Sequence, residues 1–132
     1  MVKANELIGS NTDDIRVVQF YTTKDSIYET KQLVIRNKDT SLKKKLGGPQ
    51  IYTVKVRGEN GESKIEGNTN IKVYCNCADF TYRRAYCLYQ RNGLLIPEGF
   101  VLTPPEKTNP DCNKKYCKHV SAAVRYLITT GK

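Results

Sequence analysis

Cys75 and Cys77 stand two positions apart in "NIKVYCNC", and Cys117 and His119 stand in the same relation in "YCKHV". His119 is the chain's single histidine. Thiolates and imidazoles are the side chains best suited to borderline-soft divalent ions. Residues two apart on a strand point to one side, so both sulfurs of the first pair can reach one ion from a strand end. Residues two apart in a helix diverge. Cys117 and His119 can therefore share an ion only if Cys117 lies at the helix entrance and His119 in its first turn. There the free N–H groups and the helix dipole favour a thiolate. Three thiolates and one imidazole fill the closed tetrahedral shell of a structural zinc site. The pattern thus predicts one structural zinc ion per chain, held by Cys75, Cys77, Cys117 and His119.

Two further cysteines leave rival sets open, because Cys112 or Cys87 could replace one ligand. The reading expects Cys87 to pack as a small buried hydrophobe and Cys112 to be a free loop thiol, neither of them disulfide-bonded. The plain alternative for the whole cluster is reduced, metal-free cysteine. An odd count of five cysteines argues against a fully paired disulfide framework. The start, "MVKANELIGS", lacks a signal peptide's apolar stretch. The expected location is a reducing one, cytoplasmic or inside a virion, where clustered Cys and His favour metal over disulfide.

The elements that must position these residues can be read from periodicity. "IRVVQFYTT" (15–23) and "SIYETKQLVIRN" (26–37) are rich in β-branched and aromatic residues and read as strands. "DTSLKKKLGGP" (39–49) reads as a loop. "QIYTVKVRG" (50–58) puts Tyr52, Val54 and Val56 on one face, and "NIKVYCNC" (70–77) does the same for Ile71, Val73, Cys75 and Cys77. With a turn at "GENGES" (58–63), whose Asn60-Gly61 is a hairpin signal, these two stretches are expected to pair antiparallel. "DFTYRRAYCLYQRNG" (79–93) reads as a helix capped by Asp79. Its Tyr82, Tyr86 and Tyr89 form a stripe expected to pack, the alternative being base stacking. "LLIPEGFVLTPPEKTNPDCNKKY" (94–116) holds four of the five prolines and reads as a loop packed down on the domain. "CKHVSAAVRYLITTG" (117–131) reads as a helix with Val120, Ala123, Val124 and Leu127 in one apolar stripe and Gly131 as its stop.

C-x-C followed by C-x-H in this setting resembles the SWIM zinc finger. Val73, Cys75, Cys77, Phe80, Cys117, Lys118, His119 and Ala122 carry the resemblance, over roughly residues 51 to 130. It implies a β-hairpin followed by a helix, stapled by zinc, in a module that binds nucleic acid or protein. The insert, residues 78–116, is longer than is typical of that family. The arrangement "CNCADFTYR…TNPDCNKKYCKH" also looks like small SWIM-containing proteins of tailed phages and related viruses. The expected fold is α+β. It comprises a small antiparallel sheet, a zinc-stapled strand-to-helix core and an inserted helix with a proline-rich loop. Residues 1–50 form a β-rich part of the same domain, and residues 51–132 the zinc-binding region.

The net charge of +9 is uneven. Residues 1–70 carry a net +3 and residues 71–132 a net +6, so the cysteine-bearing half is the more basic. This suits a partner bearing negative charge, DNA before RNA, or an acidic protein face. Lys114, Lys115, Lys118, Arg83 and Arg84 are the expected contacts, although such charges can also serve solubility alone. A second reading makes the chain a building block contacting neighbouring subunits of a larger assembly such as a phage virion, with zinc only stabilising the fold. The chain carries no H-x-E or H-E-x-x-H sequence, and four good ligands leave no open metal position for water. No catalytic residue is therefore assigned, and the chain is expected not to be an enzyme. Neither a membrane nor a small-molecule substrate is expected, since no apolar run is long enough to span a bilayer.

Overall fold

The computed structural model describes residues 1–9, 15–25, 28–37, 51–77, 80, 84–96 and 117–131. Four antiparallel strands, β1 (Ile15–Asp25), β2 (Tyr28–Asn37), β3 (Ile51–Gly58) and β4 (Ile71–Cys75), form one sheet in chain order. Two α-helices follow, α1 (Ala85–Gln90) and α2 (Lys118–Thr130). The architecture is α+β, with α2 packed across one side of the sheet. Among the described residues no helix is long and apolar enough to cross a membrane.

Alternation dictates which side is covered. Leu33 and Ile35 of β2, Val54 and Val56 of β3 and Val73 and Cys75 of β4 are fully buried, while the residues between them are half-buried or exposed. The register aligns these positions, pairing Phe20 with Leu33, Leu33 with Val54 and Val54 with Cys75. In β1 the register shifts between Val17 and Gln19, a bulge that leaves Val18 exposed. On α2, Val120, Ala123, Val124 and Leu127 are fully buried against this side, as their spacing predicts. Gly131 ends the helix as expected, with φ of 71° and its N–H donating to Leu127 O at 3.1 Å.

The N-terminus adds a piece that periodicity did not suggest. A 3-10 turn at Ala4–Leu7 lies beside the start of β4, where Ile71 N–H donates to Val2 O (2.8 Å) and Ala4 N–H to Thr69 O (3.0 Å). Val2, Ala4 and Leu7 thereby enter the core. Glu6 closes the turn by accepting from Lys3 N–H at 2.8 Å and pairs with Arg91 at 2.9 Å.

The insert departs from expectation at two places. Its described α-helix is Ala85–Gln90, with Arg84 at the N-cap and no side-chain cap bond; Phe80 and Arg84 before it are π-helical, in keeping with the expected helix, and Asp79 and Tyr82 lie outside the described residues. The buried side of α1 is Ala85, Cys87 and Leu88; of the tyrosine stripe, Tyr86 is half-buried and Tyr89 exposed, so Tyr89 does not pack as expected. Asn92, at φ of 58°, and Gly93 then turn the chain back. Gly93 is required by close approach, because a Cβ there would sit 2.6 Å from Val2 Cγ2. Gly93 O accepts from Val73 N–H (2.9 Å) and Leu95 N–H donates to Val73 O (3.0 Å), a parallel bridge along β4. The first residues of the expected loop thus cover an edge that would otherwise expose unpaired backbone.

Candidate metal centre

The β4 end and the α2 start meet under the sheet. Cys75 is the last residue of β4, paired with Val54 and facing α2. Asn76 carries the ladder one step further: its N–H donates to Thr53 O (3.3 Å) and its Oδ1 accepts from Thr53 N–H (3.0 Å). That pairing keeps the backbone extended past the strand end, so Cys77 projects to the same side as Cys75. Cys77 Sγ in turn accepts from Phe80 N–H at 3.4 Å. On the helix side Cys117 is the N-cap, with extended backbone (φ −92°, ψ 167°), and its Sγ accepts from Val120 N–H at 3.5 Å. His119 follows in the first turn.

The ligand atoms of Cys75, Cys77, Cys117 and His119 all lie within 4.8 Å of one another, and all four residues are buried. This is the group expected from the spacing, and it could hold a metal ion. The chemistry of the donors fits one. Three thiols in van der Waals reach of each other cannot all ionise without a cation between them. Hydrogen bonds to Cys117 and Cys77, then burial, push the Cys75 thiol far up. Cys77 is held far below the usual thiol range because the Cys117 and Cys75 groups, then the His119 ring and Phe80 N–H, stabilise its thiolate. Cys117 is pushed up to about 12, the donation from Cys75 being outweighed by the neighbouring Cys77 and burial. His119 adds to this: its Nδ1 and Nε2 are both buried and make no hydrogen bond of ordinary geometry, the Cys77 sulfur being the group that interacts with the ring. A buried polar atom left unpaired costs on the order of 1–3 kcal/mol, and a metal ion is a partner that an imidazole nitrogen can take.

Tyr52 belongs to the site, although the sequence pattern marked it only as a core-facing residue. Its ring lies against the His119 ring, centroids 4.1 Å apart and planes at 32°, and so restrains the imidazole's orientation. Burial, then the neighbouring Cys77, Cys75 and Cys117, raise its pKa. The available signal was its position on the same β3 face as Val54, opposite Cys75. Across β4, Tyr74 makes an edge-on contact with Phe80, centroids 5.8 Å apart.

The expected contact residues divide. Lys118 is exposed between two of the site's residues, and Arg84 is half-buried at the start of α1. Arg83, Lys114 and Lys115 lie outside the described residues, as does Cys112. The expectation for Cys87 is corrected. It is disulfide-bonded rather than a free thiol, while Cys75, Cys77 and Cys117 are not in disulfides. The expected burial of Cys87 holds, the side chain being 1% exposed. Compared with protein-family models, with curated proteins and with solved structures, the chain finds no match in any of the three.

Proposed function

We propose that this chain is a binding module of the SWIM type, fastened by one structural zinc ion, that engages nucleic acid. The observation supporting it is the buried group of three thiols and one imidazole, whose ring nitrogens make no hydrogen bond outside that group. Cys75, Cys77, Cys117 and His119 would hold the ion, and four protein ligands suit a structural rather than a catalytic role. When bound, zinc supplies a tether between the end of β4 and the start of α2, and its binding free energy becomes folding free energy. The same closure supports a non-enzymatic reading, since no open position remains for water.

Nucleic acid is the preferred partner because the net charge of +9 is concentrated in the half of the chain that carries the site. Three thiolates and a zinc ion together carry a net negative charge, so phosphate contacts must come from the surrounding lysines and arginines. Lys118, exposed beside the site, and Lys114, Lys115, Arg83 and Arg84 near it in sequence are the proposed contributors.

The test combines metal analysis with binding. Purified protein is expected to carry one zinc per chain and to bind DNA with an affinity that falls steeply with salt. Charge reversal at Lys114, Lys115 and Lys118 should weaken that binding and leave zinc content unchanged. Stoichiometric zinc with no DNA binding at low salt would favour a structural part of a larger assembly, such as a virion, over the nucleic-acid module.

A further inference from the structure

The side of the sheet turned away from α2 is as strongly patterned as the core side. Its register positions are Tyr21 and Thr23 on β1, and Tyr28, Thr30, Gln32 and Arg36 on β2. Lys55 and Arg57 of β3 and Lys72 and Tyr74 of β4 complete it. The register places a single acidic residue here among those described, Asp25, at the end of β1. One cross-strand pair sets like charges directly opposite: Arg57 faces Lys72. Opposed like charges in a ladder cost stability, and a bound anion relieves that cost.

Within this face Thr23, Thr30, Gln32, Lys55 and Arg57 line a cleft of about 210 Å³, with Leu95 and Ile96 as its apolar rim. The Arg57 guanidinium lies over the Tyr28 ring, 5.1 Å from its centroid. This contact occupies one face of the ring and leaves the guanidinium edge able to donate to an oxyanion. Tyr21 and Tyr28 are each more than a third exposed on a sheet whose other side is almost dry. Exposed aromatic rings among half-buried cations and neutral hydrogen-bonding side chains are the chemistry of a stacking platform. Unpaired bases present a ring face to such a surface, and a duplex does not.

We propose that this sheet face binds single-stranded nucleic acid, a phosphodiester seated in the cleft against Lys55 and Arg57 and bases stacked on Tyr21 and Tyr28. The inference rests on the nucleic-acid reading above and places its main interface on the side of the sheet opposite the metal centre. The ring faces favour single strands over an acidic protein, which would use the cations and leave the tyrosines idle.

The test uses the full zinc-loaded chain and labelled oligothymidylate, oligouridylate, a DNA duplex of equal length and polyglutamate, titrated by fluorescence anisotropy over a salt series. Single strands should bind tighter than the duplex and polyglutamate. Lys55→Gln with Arg57→Gln should weaken single-strand binding about tenfold or more and flatten its salt slope by about 1.4, at about 0.7 per phosphate. Tyr21→Ala with Tyr28→Ala should weaken it by about tenfold while leaving the salt slope unchanged. Zinc content and melting temperature report on folding. If a double variant fails to fold, Tyr21→Ala and Lys72→Gln alone carry the same prediction at smaller amplitude. Single-strand binding that survives all these changes but falls on charge reversal at Lys114, Lys115 and Lys118 would overturn the sheet-face interface and leave the nucleic-acid module standing. Equal binding of polyglutamate and oligonucleotides would overturn it in favour of an acidic protein partner. Absence of binding to every nucleic acid at low salt would overturn both.

Discussion

Replacing Cys117 with serine separates two roles that one sulfur combines. Cys117 caps α2 through Val120 N–H at 3.5 Å and stands in the four-residue Cys/His group that could hold a metal ion. If capping were its whole contribution, serine would be neutral or better, since its oxygen is among the preferred N-caps and gains at most about 1 kcal/mol. If it is a metal ligand, the sign reverses. Structural zinc binding is worth about 10–16 kcal/mol in small domains, so each of four ligands carries on the order of 3 kcal/mol. Loss of the ion would also strand the buried His119 nitrogens, at about 1–3 kcal/mol. The expected net loss for Cys117→Ser is therefore at least about 2 kcal/mol. At about 3–5 °C per kcal/mol for a chain of this size, the melting midpoint should fall by roughly 6–10 °C or more. The assay is thermal melting followed by circular dichroism, with zinc measured on the same samples. Chelation should bring wild type towards the variant and change the variant little. A Cys117→Ser protein that keeps stoichiometric zinc, or melts at or above wild type, would refute the ligand assignment.

Tyr52→Ala should weaken zinc affinity about tenfold, measured by competition with a chromogenic chelator, and Tyr52→Phe should restore it, because the ring against His119 orients a ligand as outer-shell partners do. Cys87→Ser should remove the disulfide and lower unfolding free energy by about 2–4 kcal/mol, read by denaturant titration, with zinc content intact. Tyr52 and Tyr74 both have pKa values raised above 10.0, first by burial and then by the neighbouring cysteines. A raised folded-state value favours the neutral phenol, so this contribution is complete below pH 10 and is lost as pH rises through the folded values. Tyrosinate absorbance should show late-ionising phenols in the folded protein; the steps of Tyr52 and Tyr74 should be absent from the Tyr52→Phe, Tyr74→Phe variant and should join the others on unfolding.

Local spacing was enough to bring out the cluster of Cys75, Cys77, Cys117 and His119 and the elements beside it. Cys75 and Cys77 alternate in phase with Ile71 and Val73, and Cys117 precedes a helical stripe of Val120, Ala123, Val124 and Leu127. These periods state directly which way each side chain points. β1, β2, β3 and β4 were legible for the same reason, each being long enough for alternation to show. What sequence could not supply was set by contacts between distant segments. The turn at Ala4–Leu7 is shorter than any period and is held by Thr69 and Ile71. The chain after Gly93 pairs with Val73, a parallel contact with no local signature. Cys87's disulfide depends on proximity that spacing does not encode. Tyr52 against His119, and Arg57 over Tyr28 beside Lys72, exist only because register brings separate strands and a helix together. Sequence by itself determined which residues could ligate and which faces were apolar, because both follow from side-chain type and backbone period. Tertiary structure decided the imidazole's neighbour, the sealed edge of β4 and the basic, aromatic character of the second sheet face, because each is a sum over residues far apart in the chain.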